Sequence, residues 1–316
     1  MVKKFIHVTE VGLRDGLQME THFVPTERKI AIARAIIASG IRRIEATSFV
    51  SPRAIPALAD AGDVVSGLQG CGATLTALVP NAHGAERAAQ SGADEISLFV
   101  SASETHNALN VNRSIEQSLA TIDAIAASAR SMGLNVRGAI PTSFGCPFEG
   151  DISPAQVGRV VAGYVAAGVT DITLGDTTGM ATPQLVRRLC DHLRQTFPRV
   201  ELTLHFHNTR GLGLVNVMAG LDCGIDQFES AFGGLGGCPF AAGASGNICT
   251  EDLVNLLHEQ GYKTGIDLSL CIATAEMVEA ELALASPGRR LPGQVMKAGP
   301  RSRLHNADSF RRASAR

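Results

Sequence analysis

The sequence predicts a closed (β/α)8 barrel, the TIM-barrel class of α/β fold, with a short helical extension at the C-terminal side. About eight short apolar strands alternate with helical segments, and 316 residues suit a barrel of about 250 residues plus extensions. The 33 glycines suit many tight turns between strands and helices. A doubly wound open sheet is the alternative, but Gly12 and Gly16 do not form its phosphate-binding pattern.

Each predicted element has its own signal in the sequence. Helix starts are indicated by Thr26 as an N-cap and by Ser153 and Thr182, each of which precedes a proline. The predicted strands cover residues 5–9, 41–49, 73–79, 95–100, 134–140, 169–174, 200–207 and 225–231. Predicted helices include 114–132, 153–167, 212–221 and 268–284, and the polar stretch 101–113 is predicted to be a loop. The predicted domains are a barrel at 1–265, a helical and basic extension at 266–303 and a disordered tail at 304–316.

Composition excludes several classes of partner. The net charge of −2 gives no field that would favour nucleic acid, and no apolar run reaches the length of about 18 residues that a membrane span needs. The apolar stretch at the N-terminus is too short for a signal peptide. Seven cysteines without a C-x-x-C pair are typical of a reduced protein. We therefore predict a cytoplasmic protein with no nucleic-acid or membrane partner.

Two histidines stand out near the end of the seventh predicted strand. Side chains at positions i and i+2 of a strand point the same way, so His205 and His207 would project side by side. This arrangement is half of a metal site. The alternative is two unrelated histidines, because histidine is also a common polar core residue.

Further polar residues collect where barrel strands end, which is where the active sites of such barrels lie. They are Arg14, Asp15 and Gln18 after the first strand, Glu45 in the second, Asp176 after the sixth, and Cys238 and Asn247 after the eighth. Asp15, His205, His207 and Asn247 together suit Mg²⁺ or Mn²⁺ with open water positions, and suit Zn²⁺ less well. A buried Glu45 is costly unless it is paired, and Arg14 is its nearest candidate partner.

Four motifs resemble the 3-hydroxy-3-methylglutaryl-CoA lyase family of metal-dependent barrel lyases and synthases. They are VGLRDGLQ at 11–18, the His205-x-His207 pair, GLGGCP at 234–239 and GASGN at 243–247. The GLGGCP motif is specific to the lyase branch. The Arg-Asp and His-x-His pairs also occur in isopropylmalate, homocitrate and citramalate synthases and in carboxyltransferases. The resemblance covers nearly all of residues 4–265.

The resemblance implies cleavage of the C2–C3 bond of 3-hydroxy-3-methylglutaryl-CoA to acetyl-CoA and acetoacetate. It implies that the four ligands named above hold the metal, that Arg14 binds substrate and stabilises an enolate, and that Cys238 supplies a proton. The resemblance also implies that Glu45, Asp176 and Glu251 transfer protons or orient Arg14 and the metal ligands. It implies that Gln18 and Glu251 contact the substrate along with Arg14. Which carboxylate acts as the base stays open, and a homo-oligomer, dimeric or larger, is implied.

Departures from the family pattern at Leu13, Met19, Asn208 and Arg210 leave the metal ligands, Arg14 and Cys238 intact. They leave the acyl group open, so a lyase for a longer branched 3-hydroxy-3-alkylglutaryl-CoA is an alternative. A synthase that condenses an acyl-CoA with a 2-oxo acid and a non-catalytic metal-binding barrel are two others. Five basic residues could meet the phosphates of CoA or belong to a solvated tail: Arg289, Arg290, Lys297, Arg301 and Arg303.

Overall fold

Eight parallel strands close into a barrel in sequence order in the computed structural model, which describes residues 4–20, 22–237, 246–285 and 291–298. The strands are β1 (His7–Glu10), β2 (Arg43–Ser48), β3 (Thr74–Leu78), β4 (Glu95–Phe99), β5 (Asn135–Ile140), β6 (Asp171–Asp176), β7 (Glu201–Phe206) and β8 (Gln227–Ser230). The ring closes where β1 pairs with β8, from His7 opposite Gln227 to Glu10 opposite Ser230. The predicted fold class is therefore confirmed.

Helices follow the strands and cover the barrel. They are α1 (Thr26–Ala38), α2 (Ala61–Gly67), α3 (Ala82–Ser91), α4 (Glu104–Val111), α5 (Ile115–Ser131), α6 (Pro154–Ala166), α7 (Pro183–Thr196), α8 (Gly213–Asp222), α9 (Thr250–Glu259), α10 (Leu268–Ala285) and α11 (Gln294–Ala298). Capping boxes begin α5 and α6, where Ser114 and Ser153 exchange hydrogen bonds with the glutamine three residues later. These caps fix both helix starts where the sequence predicts them.

The prediction of a loop over residues 101–113 was wrong. Helix α4 occupies most of that stretch: the Ser103 side chain caps it by accepting from His106 N at 3.1 Å, and Asn112 ends it in the left-handed region at φ 54°. Two of the polar residues that indicated a loop are thus helix caps, and others lie within the helix. The helix α2 was not predicted either.

The first strand leads into the site through an unusual turn. Glu10 closes β1, one residue beyond the predicted strand, and Gly12–Gly16 then forms a single turn of π-helix. In that turn the amides of Arg14 and Asp15 both donate to Val11 O, at 3.1 and 2.8 Å. The turn therefore lifts two charged residues directly onto the carboxyl end of the barrel.

The C-terminal helices pack against the barrel near β8. Helix α10 packs on α1 and α9, and α11 packs on α9, where the Asp252 carboxylate accepts from Gln294 N and Val295 N at 3.0 and 2.7 Å. The division at residues 265 and 303 stays a prediction, and the predicted tail at 304–316 lies outside the described residues. Among the described helices, none combines the length and hydropathy needed to cross a bilayer.

A buried tyrosine ties α6 to the barrel wall. The Tyr164 hydroxyl donates to Leu98 O at 3.0 Å and lies 3.2 Å from Ala139 O, and the ring covers Gly138, where a Cβ would lie 2.9 Å from ring carbons. We expect Tyr164→Phe to lower the free energy of unfolding by about 1 kcal/mol, because the hydrogen bond is lost while the packing stays. Urea denaturation followed by circular dichroism measures this change, and an unchanged stability would contradict the assigned role.

Candidate active site

Strand ends and one loop bring the polar residues to the same rim of the barrel. Arg14 and Asp15 come from the turn after β1, Glu45 from β2, Asp176 from the end of β6 and His205 from β7. Asn247 joins them because residues 246–248 pair with the chain after β7: His207 and Asn247 form a bridge, and Ile248 N donates to Phe206 O at 3.1 Å. Side chains distant in sequence thus meet at the face where barrel enzymes carry their chemistry.

Asp15, His205 and His207 form the core of the site. All three are buried, and one ligand-type atom from each lies within 4.8 Å of those of the other two. The Nε2 atom of His207 lies 3.6 Å from Asp15 Oδ2, and the two imidazole centroids are 5.1 Å apart. The predicted same-side projection of the two histidines is therefore present, and Asp15 faces them.

Asn247, the fourth residue of the predicted ligand set, lies against Asp15. Its Nδ2 donates to Asp15 Oδ2 at 2.8 Å and to Leu235 O at 2.9 Å, which leaves Oδ1 buried without a hydrogen-bond partner among the described residues. Gly236 packs directly over this amide at φ 120°, and a Cβ there would lie 2.8 Å from Nδ2. Only glycine leaves room for such an approach.

The donor set fits a divalent cation. Two imidazoles, a carboxylate and an amide oxygen are the ligands that Mg²⁺ or Mn²⁺ accepts when water fills its other positions. The buried and unpartnered Asn247 Oδ1 supports this fit, because a polar atom that is desolvated without a partner is costly. The residues present are therefore compatible with the predicted metal, and its identity stays a prediction.

Arg14 lies between two carboxylates. Its Nε donates to Glu45 Oε2 at 2.5 Å and its Nη1 to Asp15 Oδ1 at 2.7 Å, while Gln18 Nε2 donates to the same Asp15 oxygen at 2.9 Å. The predicted partnership of Glu45 with Arg14 is confirmed. The guanidinium is fixed in orientation, yet 13% of the side chain remains exposed, so it is open to a ligand at the rim.

Burial and charge set the protonation of the site. Burial alone would raise the pKa of Asp15, but Arg14 and the hydrogen bond from His207 lower it far below its ordinary range. Burial lowers the pKa of His207, which favours the neutral imidazole that a metal ligand needs. Burial would also lower the pKa of His205, but the hydrogen bond and the charge of Glu229 raise it. Burial raises the pKa of Asp176 to about 7, although backbone amides of Ala181 and Met180 partly oppose the shift. Asp176 is thus suited to exchange protons near neutral pH.

Other predicted residues take different places. Glu251 is fully buried at the start of α9, where its Oε2 accepts from Gly233 N at 3.0 Å, and burial raises its pKa to about 7. Its described hydrogen bond therefore supports the loop after β8, and a role in substrate binding stays a prediction. Lys297 lies in α11. Cys238 and the basic residues Arg289, Arg290, Arg301 and Arg303 lie outside the described residues.

Two residues of the site were missed by the sequence analysis. Glu229 in β8 accepts from His205 Nδ1 at 3.0 Å, and Arg137 in β5 lies 3.2 Å from the other oxygen of Glu229. Burial would raise the pKa of Glu229, but the bond from His205 and the charge of Arg137 lower it to about 2. The signal was present in the sequence, since both are charged residues inside predicted strands, as Glu45 is.

A parallel (β/α)8 barrel with a carboxylate, two histidines and an arginine at its carboxyl rim is the arrangement expected of the barrel lyases and synthases that the sequence motifs resemble. Residues 5–278 match the HMGL-like family model, and the chain belongs to that family. A hydroxymethylglutaryl-CoA lyase of Bacillus subtilis is 41% identical over 93% of this chain and 98% of its own length. The mitochondrial hydroxymethylglutaryl-CoA lyase of Macaca fascicularis is 42% identical over 87% of this chain and 85% of its own.

Solved structures agree with this assignment. An HMG-CoA lyase from Acinetobacter baumannii in complex with coenzyme A and 3-methylmalate has a TM-score of 0.89 at 45% identity, covering 95% of this chain and 97% of its own. The HMG-CoA lyase of Bacillus subtilis has a TM-score of 0.89 at 40% identity, covering 94% and 98%. The relatives named here are carbon–carbon lyases, and their shared architecture extends over nearly the whole chain.

Proposed function

We propose that this protein cleaves 3-hydroxy-3-methylglutaryl-CoA to acetyl-CoA and acetoacetate. The observation that carries the proposal is Arg14 held beside the Asp15–His205–His207 cluster at the barrel rim, in a chain whose relatives carry that activity in their names. A single site then contains groups for both ends of the reaction: ligands for the hydroxy acid part and a fixed positive charge for the thioester part.

The proposed reaction balances without an oxidant or a further reactant. The 3-hydroxyl group loses its proton to a base, the C2–C3 bond breaks, and C3 becomes the ketone carbon of acetoacetate. The electron pair of the broken bond passes to the thioester as an enolate. A proton delivered to C2 then converts the enolate to acetyl-CoA.

We assign Asp15, His205, His207 and Asn247 to Mg²⁺ or Mn²⁺, which when bound supplies a Lewis acid for the oxygens of the substrate. The chain itself orients these ligands. Asp15 accepts from Gln18 and Asn247 as well as from Arg14, so its carboxylate is fixed before any ligand arrives. Such preorganisation lowers the cost of forming the reactive geometry.

Arg14 is assigned to the developing enolate oxygen. A guanidinium is charged at every accessible pH and presents several donors in one plane, so it stabilises an oxyanion more strongly than it stabilises a neutral thioester. Glu45 and Asp15 hold its orientation through the bonds at 2.5 and 2.7 Å. Stabilisation that grows towards the transition state raises the rate of bond cleavage.

Proton transfer is assigned to carboxylates at the rim and to a thiol. Asp176 is a candidate base because its raised pKa of about 7 matches neutral conditions, and Glu45 and Glu251 are the other candidates. Cys238 is proposed as the donor to the enolate carbon on the strength of the glycine-rich motif around it. Asp176 keeps one carboxylate oxygen without a hydrogen bond among the described residues, which leaves it available for this role.

The partner of this site is proposed to be an acyl-CoA thioester, because one similar structure contains coenzyme A. The homo-oligomer stays a prediction. So does the cytoplasmic location, since similar proteins from rat include one named mitochondrial and one named cytoplasmic.

The test is an assay of the purified protein with Mg²⁺ or Mn²⁺ and 3-hydroxy-3-methylglutaryl-CoA. We expect acetoacetate and acetyl-CoA in equal amounts, with faster turnover for the 3-methyl substrate than for longer 3-alkyl analogues. The proposal fails if no acetoacetate forms but CoA is released from acetyl-CoA in the presence of a 2-oxo acid, which would indicate a synthase.

A further inference from the structure

A buried arginine crosses the interior of the barrel beneath the candidate metal ligands. Arg137 is 2% exposed, and its Nη2 donates to Thr173 Oγ1 at 2.9 Å and to Thr203 Oγ1 at 3.1 Å. Its Nη1 lies 3.2 Å from Glu229 Oε1. Strands β5, β6, β7 and β8 thus converge on one guanidinium, which fixes the position of a carboxylate on β8.

Each oxygen of that carboxylate has a separate partner. Glu229 Oε1 faces Arg137 and accepts from Thr173 Oγ1 at 2.9 Å, whereas Oε2 lies 3.0 Å from Nδ1 of His205. An ionised carboxylate can only accept, so the Nδ1 atom of His205 carries the proton. In the neutral imidazole the other ring nitrogen, Nε2, then carries the lone pair that can bind a metal ion.

We propose that Glu229 is a positioning residue that fixes the orientation and tautomer of His205 for metal binding, and that Arg137 holds Glu229 in place for this task. The inference rests on the proposed metal site. Carboxylates that accept from the second nitrogen of a ligating histidine orient the ring and make it a better donor, and losing them typically weakens metal binding by about 10- to 100-fold.

The two histidines of the site differ in a way that supports this assignment. His207 Nδ1 is buried and has no hydrogen-bond partner among the described residues, and the carboxylate that faces its Nε2 at 3.6 Å is Asp15, itself a proposed metal ligand. His205, by contrast, hydrogen-bonds to the Glu229 carboxylate, and Arg137 holds that carboxylate in place. A buried ion pair contributes little to net stability compared with apolar packing, so the pair is better explained by the orientation it imposes.

The test is a titration of the full chain with Mn²⁺, followed by the electron paramagnetic resonance of the free ion and without substrate. We expect Glu229→Gln to weaken binding by about 10-fold or more, because the charge is lost while the shape is kept. Asp60→Asn is the matched control: Asp60 is another buried acid, and its described partners, Lys29 and Thr26, belong to α1. The control should bind Mn²⁺ within about twofold of the natural chain.

A second readout follows the ring of His205 itself. Nitrogen-15 NMR of labelled imidazoles should show His205 with a protonated Nδ1 in the metal-free natural chain and a mixture of tautomers in Glu229→Met. Thr173→Val keeps every charge and removes one hydroxyl bond to Glu229, so it should fold and weaken Mn²⁺ binding by roughly threefold.

Unchanged Mn²⁺ affinity in folded Glu229→Gln, or equal losses in Glu229→Gln and Asp60→Asn, would overturn the inference. These outcomes are separate from a failure of the proposed function, because the titration needs no substrate. A natural chain that binds Mn²⁺ but cleaves no thioester would refute the lyase proposal and leave the role of Glu229 standing.

Discussion

Replacing Arg14 by glutamine is expected to lower kcat for the cleavage of 3-hydroxy-3-methylglutaryl-CoA by roughly a thousandfold. The guanidinium is the one positive side chain that hydrogen-bonds to Asp15 among the described residues, and it is the group assigned to the enolate oxygen. Removing a single preorganised donor from an oxyanion typically costs about 10²–10³ in kcat, and here a full charge is lost with it. Steady-state kinetics at saturating Mg²⁺ measures the effect.

Comparing kcat with Mn²⁺ affinity in the same variant distinguishes a catalytic role of Arg14 from a structural one. Arg14→Gln should bind Mn²⁺ at least as tightly as the natural chain, because a positive charge 2.7 Å from a ligand carboxylate is removed. The kcat of Arg14→Lys should lie between those of the natural chain and Arg14→Gln, since lysine keeps the charge and loses the planar donors. Arg187→Gln is the control for loss of charge: Arg187 forms an exposed ion pair with Asp222 at 2.9 Å and should leave kcat unchanged.

If Arg14→Gln kept more than about a tenth of the natural kcat, the arginine could not be the group that stabilises the enolate. If the variant instead lost Mn²⁺ binding along with activity, the pair of hydrogen bonds to Asp15 and Glu45 would be holding the metal site together. Arg14 would then be a positioning residue, and the enolate would need another partner.

The barrel could be predicted because its signals are local and repeated. Parallel strands are buried on both faces and tend to read as short apolar runs, and several of the helix starts carry a capping side chain, in two cases followed by a proline. Errors occurred where polar residues are buried. Glu10 and Asp176 belong to β1 and β6 but look like loop residues, and the helix at Glu104–Val111 was missed because its caps are polar.

The site could be predicted in part for a related reason. His205 and His207 follow from strand alternation, and Asp15 follows from the rule that barrel chemistry lies at strand ends. The bridge between His207 and Asn247 depends on how the chain returns after β8, which no local pattern reports.

Arg137 and Glu229 had a readable signal, since a charge inside an apolar strand needs a partner. That rule identified Glu45, and its partner could be named because Arg14 lies in the recognisable motif at 11–18. Arg137 and Glu229 lie on β5 and β8, and only the closed barrel brings them within 3.2 Å. The sequence indicates which residues need partners, and the three-dimensional fold decides which partners they have.

Replacing Asp15 by asparagine should remove metal binding and, with it, activity. Asp15 accepts from Arg14, Gln18 and Asn247 while facing His207 at 3.6 Å. Loss of groups that merely orient metal ligands costs about 10- to 100-fold in affinity, so loss of the only carboxylate in the proposed ligand set should exceed 100-fold. Turnover should fall to the background of the assay at any Mg²⁺ concentration that leaves the protein soluble.

Thermal denaturation gives an independent measure of the same loss. A ligand that binds only the folded state stabilises it by about 2.7 kcal/mol at a concentration of 100 Kd. The natural chain should therefore melt at a higher temperature when Mn²⁺ is added and return to its starting value with a chelator. The melting temperature of Asp15→Asn should change neither with Mn²⁺ nor with the chelator. Asp222→Asn removes an equal charge from an exposed ion pair and should keep the full shift.

A different melting behaviour of Asp15→Asn would contradict the assignment of Asp15 as a metal ligand. If Asp15→Asn melted at the same temperature as the metal-free natural chain and still gained stability from Mn²⁺, the ion would be binding elsewhere. The buried cluster of Asp15, His205 and His207 would then be a hydrogen-bonded network rather than a metal centre. If the shift disappears only in Asp15→Asn, the carboxylate after β1 is a ligand, and the metal lies at the carboxyl rim beside Arg14.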